Sequence, residues 1–170
     1  DTELAAATLT PIINAYSSVA INANSVTTLR GTYDQIVAVY DANTAGTVIL
    51  NTDAKLNVEP ISVGEANELD TKTTGTITAT ISSNGKIHDL KQLTNENDNN
   101  AYVITITDSS GDADDLNTIF KKTSEHVDIT SLTSLFGSYP ACNKFVTSTN
   151  AFSILVNGHV ESNKVNIHFV

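Results

Sequence analysis

Between Asn100 and Asp108 apolar and polar positions alternate. Tyr102, Ile104 and Ile106 fall on one side of an extended chain, Val103, Thr105 and Thr107 on the other. That period of two predicts a strand with one buried face. Gly75 to Ile81 repeats the pattern, with Ile77, Ala79 and Ile81 inward and Thr76, Thr78 and Thr80 outward. Asn84-Gly85 follows as a strong turn signal, and Lys86 to Leu93 is the return segment, although a two-residue turn sets Ile81 opposite His88 and the two do not pair cleanly.

Elsewhere the pattern is mixed. Tyr33 to Tyr40 and Thr47 to Leu50 read as two strands of a hairpin around the polar segment Asp41 to Gly46. Their consecutive apolar residues place that hairpin centrally, with both faces covered. Lys55 to Val58 reads as a short strand, and Ser62 to Thr74 as a long surface loop. Asp114 to Thr123 predicts a helix, with Leu116, Ile119 and Phe120 on one face and Asp112 or Asp114 as its cap. Thr130 to Phe136 reads as one more helical turn stopped by Gly137.

Near the carboxyl end, a turn at Ser162-Asn163 sorts a hairpin cleanly. Val160 then meets Val165 and Val156 meets Phe169 on one face, while His159 meets Asn166 on the other. No internal repeat or heptad is apparent. These elements predict a mainly β protein: an antiparallel β-sandwich of jelly-roll or immunoglobulin-like topology, with one or two short helices near 112–136.

Residues 1–25 stand apart, and 26–170 reads as a single domain. The first segment is poor in charge and alternates Val19, Ile21 and Ala23 with Ala20, Asn22 and Asn24. Either it frays ahead of a first strand, or it donates a strand to a neighbouring subunit. In the second case Val19 and Ile21 are the anchors, with Leu4 and Leu9 further out.

Composition narrows the partners. The 24 Thr and 18 Asn suit half-wet strands and their turns. The net charge of -10, with Arg30 the only arginine, argues against nucleic acid, which requires clustered cations. No apolar run reaches the ~18 residues of a membrane span. With no Met at position 1, a removed leader or a trimmed boundary is implied, and a removed leader places the protein outside the cell or on a cell or virion surface. The lone Cys142 forms no disulfide within the chain, and no Asn-X-Ser/Thr sequon occurs.

Catalytic chemistry finds little support. His88, His126, His159 and His168 match no zinc spacing, and no nucleophile elbow or phosphate-cradling glycine loop is present. Without Trp, a sugar-stacking cleft for paired carboxylates is poorly furnished. Calcium is the one cofactor with a case. Asp108, Asp112, Asp114 and Asp115 bring hard oxygens together at a strand end. Glu96 and Asp98, with Asn95 and Asn97, form a second candidate, and Glu65, Glu68 and Asp70 a third. The bland alternative is a solvated acidic loop whose aspartates cap the helix.

The expected function is therefore a non-catalytic structural subunit of an extracellular or virion-surface assembly, such as a filament, pilus, tube or capsid. It would form a homo-oligomer or polymer by strand addition, with calcium stiffening the contacts. The alternative is a calcium-dependent adhesin or carbohydrate-binding module with a glycan partner.

Overall fold

A computed structural model describes residues 2–15, 19–95, 99–149 and 166–169. The chain opens with β1 (Glu3–Ala5), α1 (Ala6–Ala15), β2 (Ile21–Ala23), β3 (Thr28–Gly31), α2 (Tyr33–Thr44) and β4 (Val48–Leu50). Next come β5 (Lys55–Val58), α3 (Val63–Asp70), β6 (Ile77–Thr80), α4 (Ile87–Leu90) and β7 (Ala101–Thr105). The last are β8 (Ser110–Asp112), α5 (Ala113–Phe120), β9 (Val127–Asp128), β10 (Ser134–Gly137), α6 (Tyr139–Thr149) and β11 (Asn166–Phe169).

Six strands form one sheet in the order β1-β3-β5-β6-β7-β9, and every neighbouring pair is parallel. The order is that of the chain itself. Paired residues lie 25, 27, 21, 23 and 23 positions apart along the sequence. Each strand is followed by a helical return that delivers the next strand alongside it. The result is a coil of stacked strand–helix units in which each unit packs on its sequence neighbours. Two smaller parallel sheets, β2-β4 and β11-β10-β8, accompany it.

The expected antiparallel sandwich is thus overturned: the protein is an α/β fold built on an all-parallel sheet. The strands at 55–58, 77–80 and 101–105 are present, and the faces expected for the last two point inward. Their partners differ, because segments read as strand or loop are helices. Tyr33 to Tyr40 lies in α2, where Ile36, Val39 and Tyr40 form the buried stripe. Thr32 caps this helix, and Gln35 reaches back to complete a capping box. Ser62 to Thr74 contains α3, started by the same device from Ser62 and Glu65. Lys86 to Leu93 holds the single turn of α4 rather than a return strand. Gly85 does adopt φ 66°, but the turn leads into that helix. The helical turn expected at 130–136 is instead β10. The helix expected at 114–123 is present as α5, with Asp112 as its cap. The turn of the carboxyl-terminal hairpin, Ser162-Asn163, lies outside the described residues, and β11 runs parallel to β10.

The core sits between the sheet and the helices. Leu29, Leu56 and Ile77 occupy one row across three strands, each at most 1% exposed. Ala79 beside Tyr102, and Ile104 beside Val127, continue the layer. Ile36, Leu69, Leu90, Leu116 and Ile119 close it from the helical side. A buried aliphatic side chain of this kind contributes roughly 2 kcal/mol. Phe120 meets Phe145 edge-on, with centroids 5.2 Å apart, and ties α5 to α6.

One buried polar residue joins three units. Asn100, 0% exposed, accepts from the Ile77 amide at 3.0 Å and donates to the Asp70 carboxylate at 2.7 Å. Ser124 N–H donates to its main-chain carbonyl at 2.8 Å. On the helical side, Tyr33 donates to Glu68, and Lys72 lies 3.7 Å from Asp41 and 3.5 Å from Glu68. The Glu68 carboxylate pushes the Tyr33 phenol up to about 12.

Candidate functional site

All-parallel sheets almost always carry helices on both faces. Here burial alternates along each central strand, so the helices cover one face and the other stays open. Arg30, Asn57 and Thr78 form one exposed row across β3, β5 and β6. Thr80 beside Val103, and Thr105 beside Asp128, extend the surface towards β9. Lys55 stands next to Thr28 at the other end. Val103 is 47% exposed and sits among threonines. Arg30 is 3.4 Å from Glu3, so its charge is already balanced. The face carries short hydroxyls, one amide, one aliphatic group, the Arg30–Glu3 pair and, at its two ends, the charges of Lys55 and Asp128.

Beside this face lies a concavity at the carboxyl ends of β5 and β6. It has a volume of about 360 Å³ and runs between the start of α3 and the loop leading through α4. Ser62, Asn67, Ser83, Asn84, Asp89 and Gln92 line it with polar groups. Asn67 fastens the two walls, donating to the Gln92 carbonyl at 2.9 Å and accepting from the Thr94 amide at 2.8 Å.

Six of the described acidic residues singled out from the sequence, Asp108, Asp112, Asp115, Glu65, Glu68 and Asp70, are engaged within the fold. Asp108 accepts from the Ile87 amide at 2.8 Å and from Lys86 Nζ at 3.0 Å. It thereby caps α4, whose own cap position, Lys86, supplies no side-chain bond. The amide holds the Asp108 carboxyl below the ordinary aspartate range, with Lys86 adding to it. Asp112 caps α5 through the amides of Asp114 and Asp115, at 2.9 and 3.2 Å. Asp115 pairs with Lys91 at 3.0 Å, and Asp114 is exposed. Glu65 folds back on Ser62, Glu68 takes Tyr33 and Lys72, and Asp70 is held by Asn100. Among the described residues no group of three His, Cys, Asp or Glu is placed to hold a metal ion. Glu96 and Asp98, with Asn97, lie outside the described residues, while Asn95 accepts from the amides of Asn99 and Asn100.

The amino-terminal segment pairs within its own chain. Leu4 lies in β1, parallel to β3, and packs against the core. Leu9 is buried under α1, Ile21 pairs with Val48, and Val19 is 74% exposed. Cys142 is 1% exposed, and burial pushes its thiol up. His88 and His126 are exposed. No helix among the described residues is long and apolar enough to cross a membrane.

The Asp108 cap gives a pH-dependent expectation. Asp108→Ala should lower stability at neutral pH by about 1 kcal/mol, the usual effect of a lost cap or charge-assisted bond. Because the folded carboxyl titrates below its unfolded value, the contribution is complete above the aspartate range. It fades as pH falls through that range towards the depressed folded value. Urea melts of both proteins across acidic pH check this; a wild-type advantage that ignores pH would contradict it.

The concavity was not legible from the sequence, although one signal was present. Ser62-Val-Gly-Glu65 has the spacing of a capping box, and it places a helix start at one wall of the concavity. Together these features define a one-sided strand–helix coil with an open polar face and an adjoining polar concavity. Comparison with family models, with curated proteins and with solved structures gives no match.

Proposed function

We propose that this chain is a non-catalytic recognition module of the adhesin or carbohydrate-binding type, with the open sheet face as its contact surface. The observation that supports the reading is the uncovered, polar face of a parallel sheet. Stacked-unit folds use such extended surfaces for binding, because successive units repeat the same outward positions. Hydroxyl and amide groups at regular strand spacing suit a long, neutral, hydroxyl-rich ligand. An extracellular or surface setting fits this role.

The test is a glycan array together with retention on insoluble polysaccharides. The double variant Thr80→Arg/Thr105→Arg should weaken binding about tenfold or more, equivalent to ~1.4 kcal/mol. Ala38→Arg, on the exposed side of α2, should leave it unchanged. Equal binding by the face variant and wild type would remove the face from the mechanism.

A second reading, the self-associating structural subunit, has one observation in its favour. β1 is the outermost strand of its sheet among the described residues, and an unpaired edge can accept a strand from a second copy. Light scattering and negative-stain microscopy with millimolar calcium, then with chelator, address both this reading and the calcium expectation for Asp108, Asp112, Asp114 and Asp115. Fibres or particles that dissolve on chelation would support both. A monodisperse monomer in both conditions would eliminate self-assembly of this chain alone.

A further inference from the structure

We infer that the concavity between α3 and α4 is a seat for one neutral, polyhydroxylated unit of a saccharide. The inference rests on the recognition reading above and deepens it by naming a site and a ligand class. The volume of about 360 Å³ falls at the small end of the range for ligand pockets.

The chemistry of the walls selects the class. Asn67, Asn84 and Gln92 carry amides. Asn67 is bonded to the Gln92 carbonyl and to Thr94, and Gln92 Nε2 donates to the His88 carbonyl at 3.2 Å, which leaves the Asn84 amide and the Gln92 acceptor oxygen for a ligand. Ser83 adds a hydroxyl and Asp89 a carboxylate acceptor, while the Ser62 hydroxyl is shared with Glu65. Sugar hydroxyls donate and accept at once, so a mixed lining of this kind satisfies neighbouring hydroxyls in pairs. Among the described residues no Lys or Arg lines the concavity, and the Asp89 carboxylate opposes the pull that the start of α3 exerts on anions. Phosphorylated and acidic ligands are therefore disfavoured. Among the described residues no aromatic ring lines it either, so a nucleobase finds no stacking surface there. Val63 supplies an apolar contact for the carbon face of a sugar ring.

The site is also held ready. Ser62 is fixed by Glu65 at 2.8 Å, and Asn67 is pinned between the Gln92 carbonyl and Thr94. A fixed polar lining reduces the ordering needed on binding. Asn67 and Gln92 already use part of their hydrogen-bonding capacity, so Asn84 and Asp89 carry most of the specificity.

Gly64 offers a direct test. A Cβ added there meets nothing within 4 Å, and its φ lies outside the left-handed range. Gly64→Leu therefore places bulk at the concavity without disturbing the fold. The experiment titrates the full chain with glucose, galactose, mannose and N-acetylglucosamine, with sialic acid and inorganic phosphate as anionic probes. Binding is followed by amide chemical shifts. At least one neutral sugar should produce saturable shifts confined to residues 62–67 and 83–92. Gly64→Leu should abolish them at unchanged melting temperature, and Asp89→Ala should weaken binding about tenfold, or ~1.4 kcal/mol.

Absence of shifts at these residues with every neutral sugar would overturn the inference, as would stronger binding of sialic acid or phosphate. The two proposals fail separately. Polysaccharide retention that survives Gly64→Leu but is lost in Thr80→Arg/Thr105→Arg would remove the concavity and keep the face. Sugar shifts at the concavity with unaltered retention by the face variant would do the reverse.

Discussion

Asn100→Leu should lower the unfolding free energy by about 4 kcal/mol, one of the largest effects of any single change in this protein. The side chain is 0% exposed and serves two buried partners, the Ile77 amide and the Asp70 carboxylate. Leucine fills similar space and satisfies neither. Leaving a buried donor or acceptor without a partner costs about 1–3 kcal/mol, and more when the group is charged. Against a typical total of ~5–15 kcal/mol, the loss is large. Urea unfolding at neutral pH measures it, with an unchanged slope confirming that only stability has moved. The double variant Asn100→Leu/Asp70→Leu should recover part of the loss, because removing both partners is less damaging than stranding one. A loss below about 1 kcal/mol for the single variant would mean that Asn100 does not join these units energetically.

Gly75→Ala should be comparably damaging, by about 3 kcal/mol, through crowding rather than lost bonds. A methyl at Gly75 would lie 2.5 Å from the Ala54 carbonyl oxygen and 2.6 Å from that of Asp53. Both are backbone atoms of the neighbouring unit. They cannot turn aside as a side chain would. The Gly75 amide also donates to Thr73 Oγ1 at 3.0 Å, and that hydroxyl donates to the Ala54 carbonyl at 2.7 Å. Any retreat of the chain therefore loosens a buried turn. Gly64→Ala is the matched control: its Cβ enters open space, and the substitution should be neutral or stabilising by up to ~1 kcal/mol. Thermal melts of the two variants should separate by roughly 10 °C. Equal melting temperatures would refute the close approach at Gly75.

Strand faces were legible in the sequence where the period of two was clean. Ile77, Ala79 and Ile81 are buried, as are Tyr102, Ile104 and Ile106. What alternation does not encode is the direction of the partner strand. A sheet with one wet face is usually antiparallel. This sheet is an exception, because all of its returns lie on one side. The returns themselves were masked for two physical reasons. In α2 the run Ile36-Val37-Ala38-Val39-Tyr40 is rich in β-branched residues, so strand propensity outweighed the Thr32–Gln35 capping box. In α3 the apolar side of the stripe is Ala66 and Leu69, with Val63 partly buried at the start, too sparse to register as a helical period. Unequal spacing of 21 to 27 residues between paired strands hid the repetition.

The acidic cluster shows how far local reasoning reached. Asp112 as a helix cap was readable, since it precedes a clear amphipathic stripe. That Asp108 caps a helix 21 residues upstream required the fold. The concavity was hidden for a similar reason. Its residues are ordinary polar types from two separate segments, 62–67 and 83–92, and only adjacent placement of β5 and β6 brings them together.

The chain-ordered sheet has a consequence for how such a molecule changes over time. A fold whose strands are interleaved out of sequence cannot gain or lose one without rewiring its connections. Here each strand–helix return meets mainly the returns on either side of it. Duplicating or deleting one whole return leaves the remaining junctions of the same kind. The span of the outward surface is then a quantity that descent can adjust in single steps, independently of the residues that decorate it.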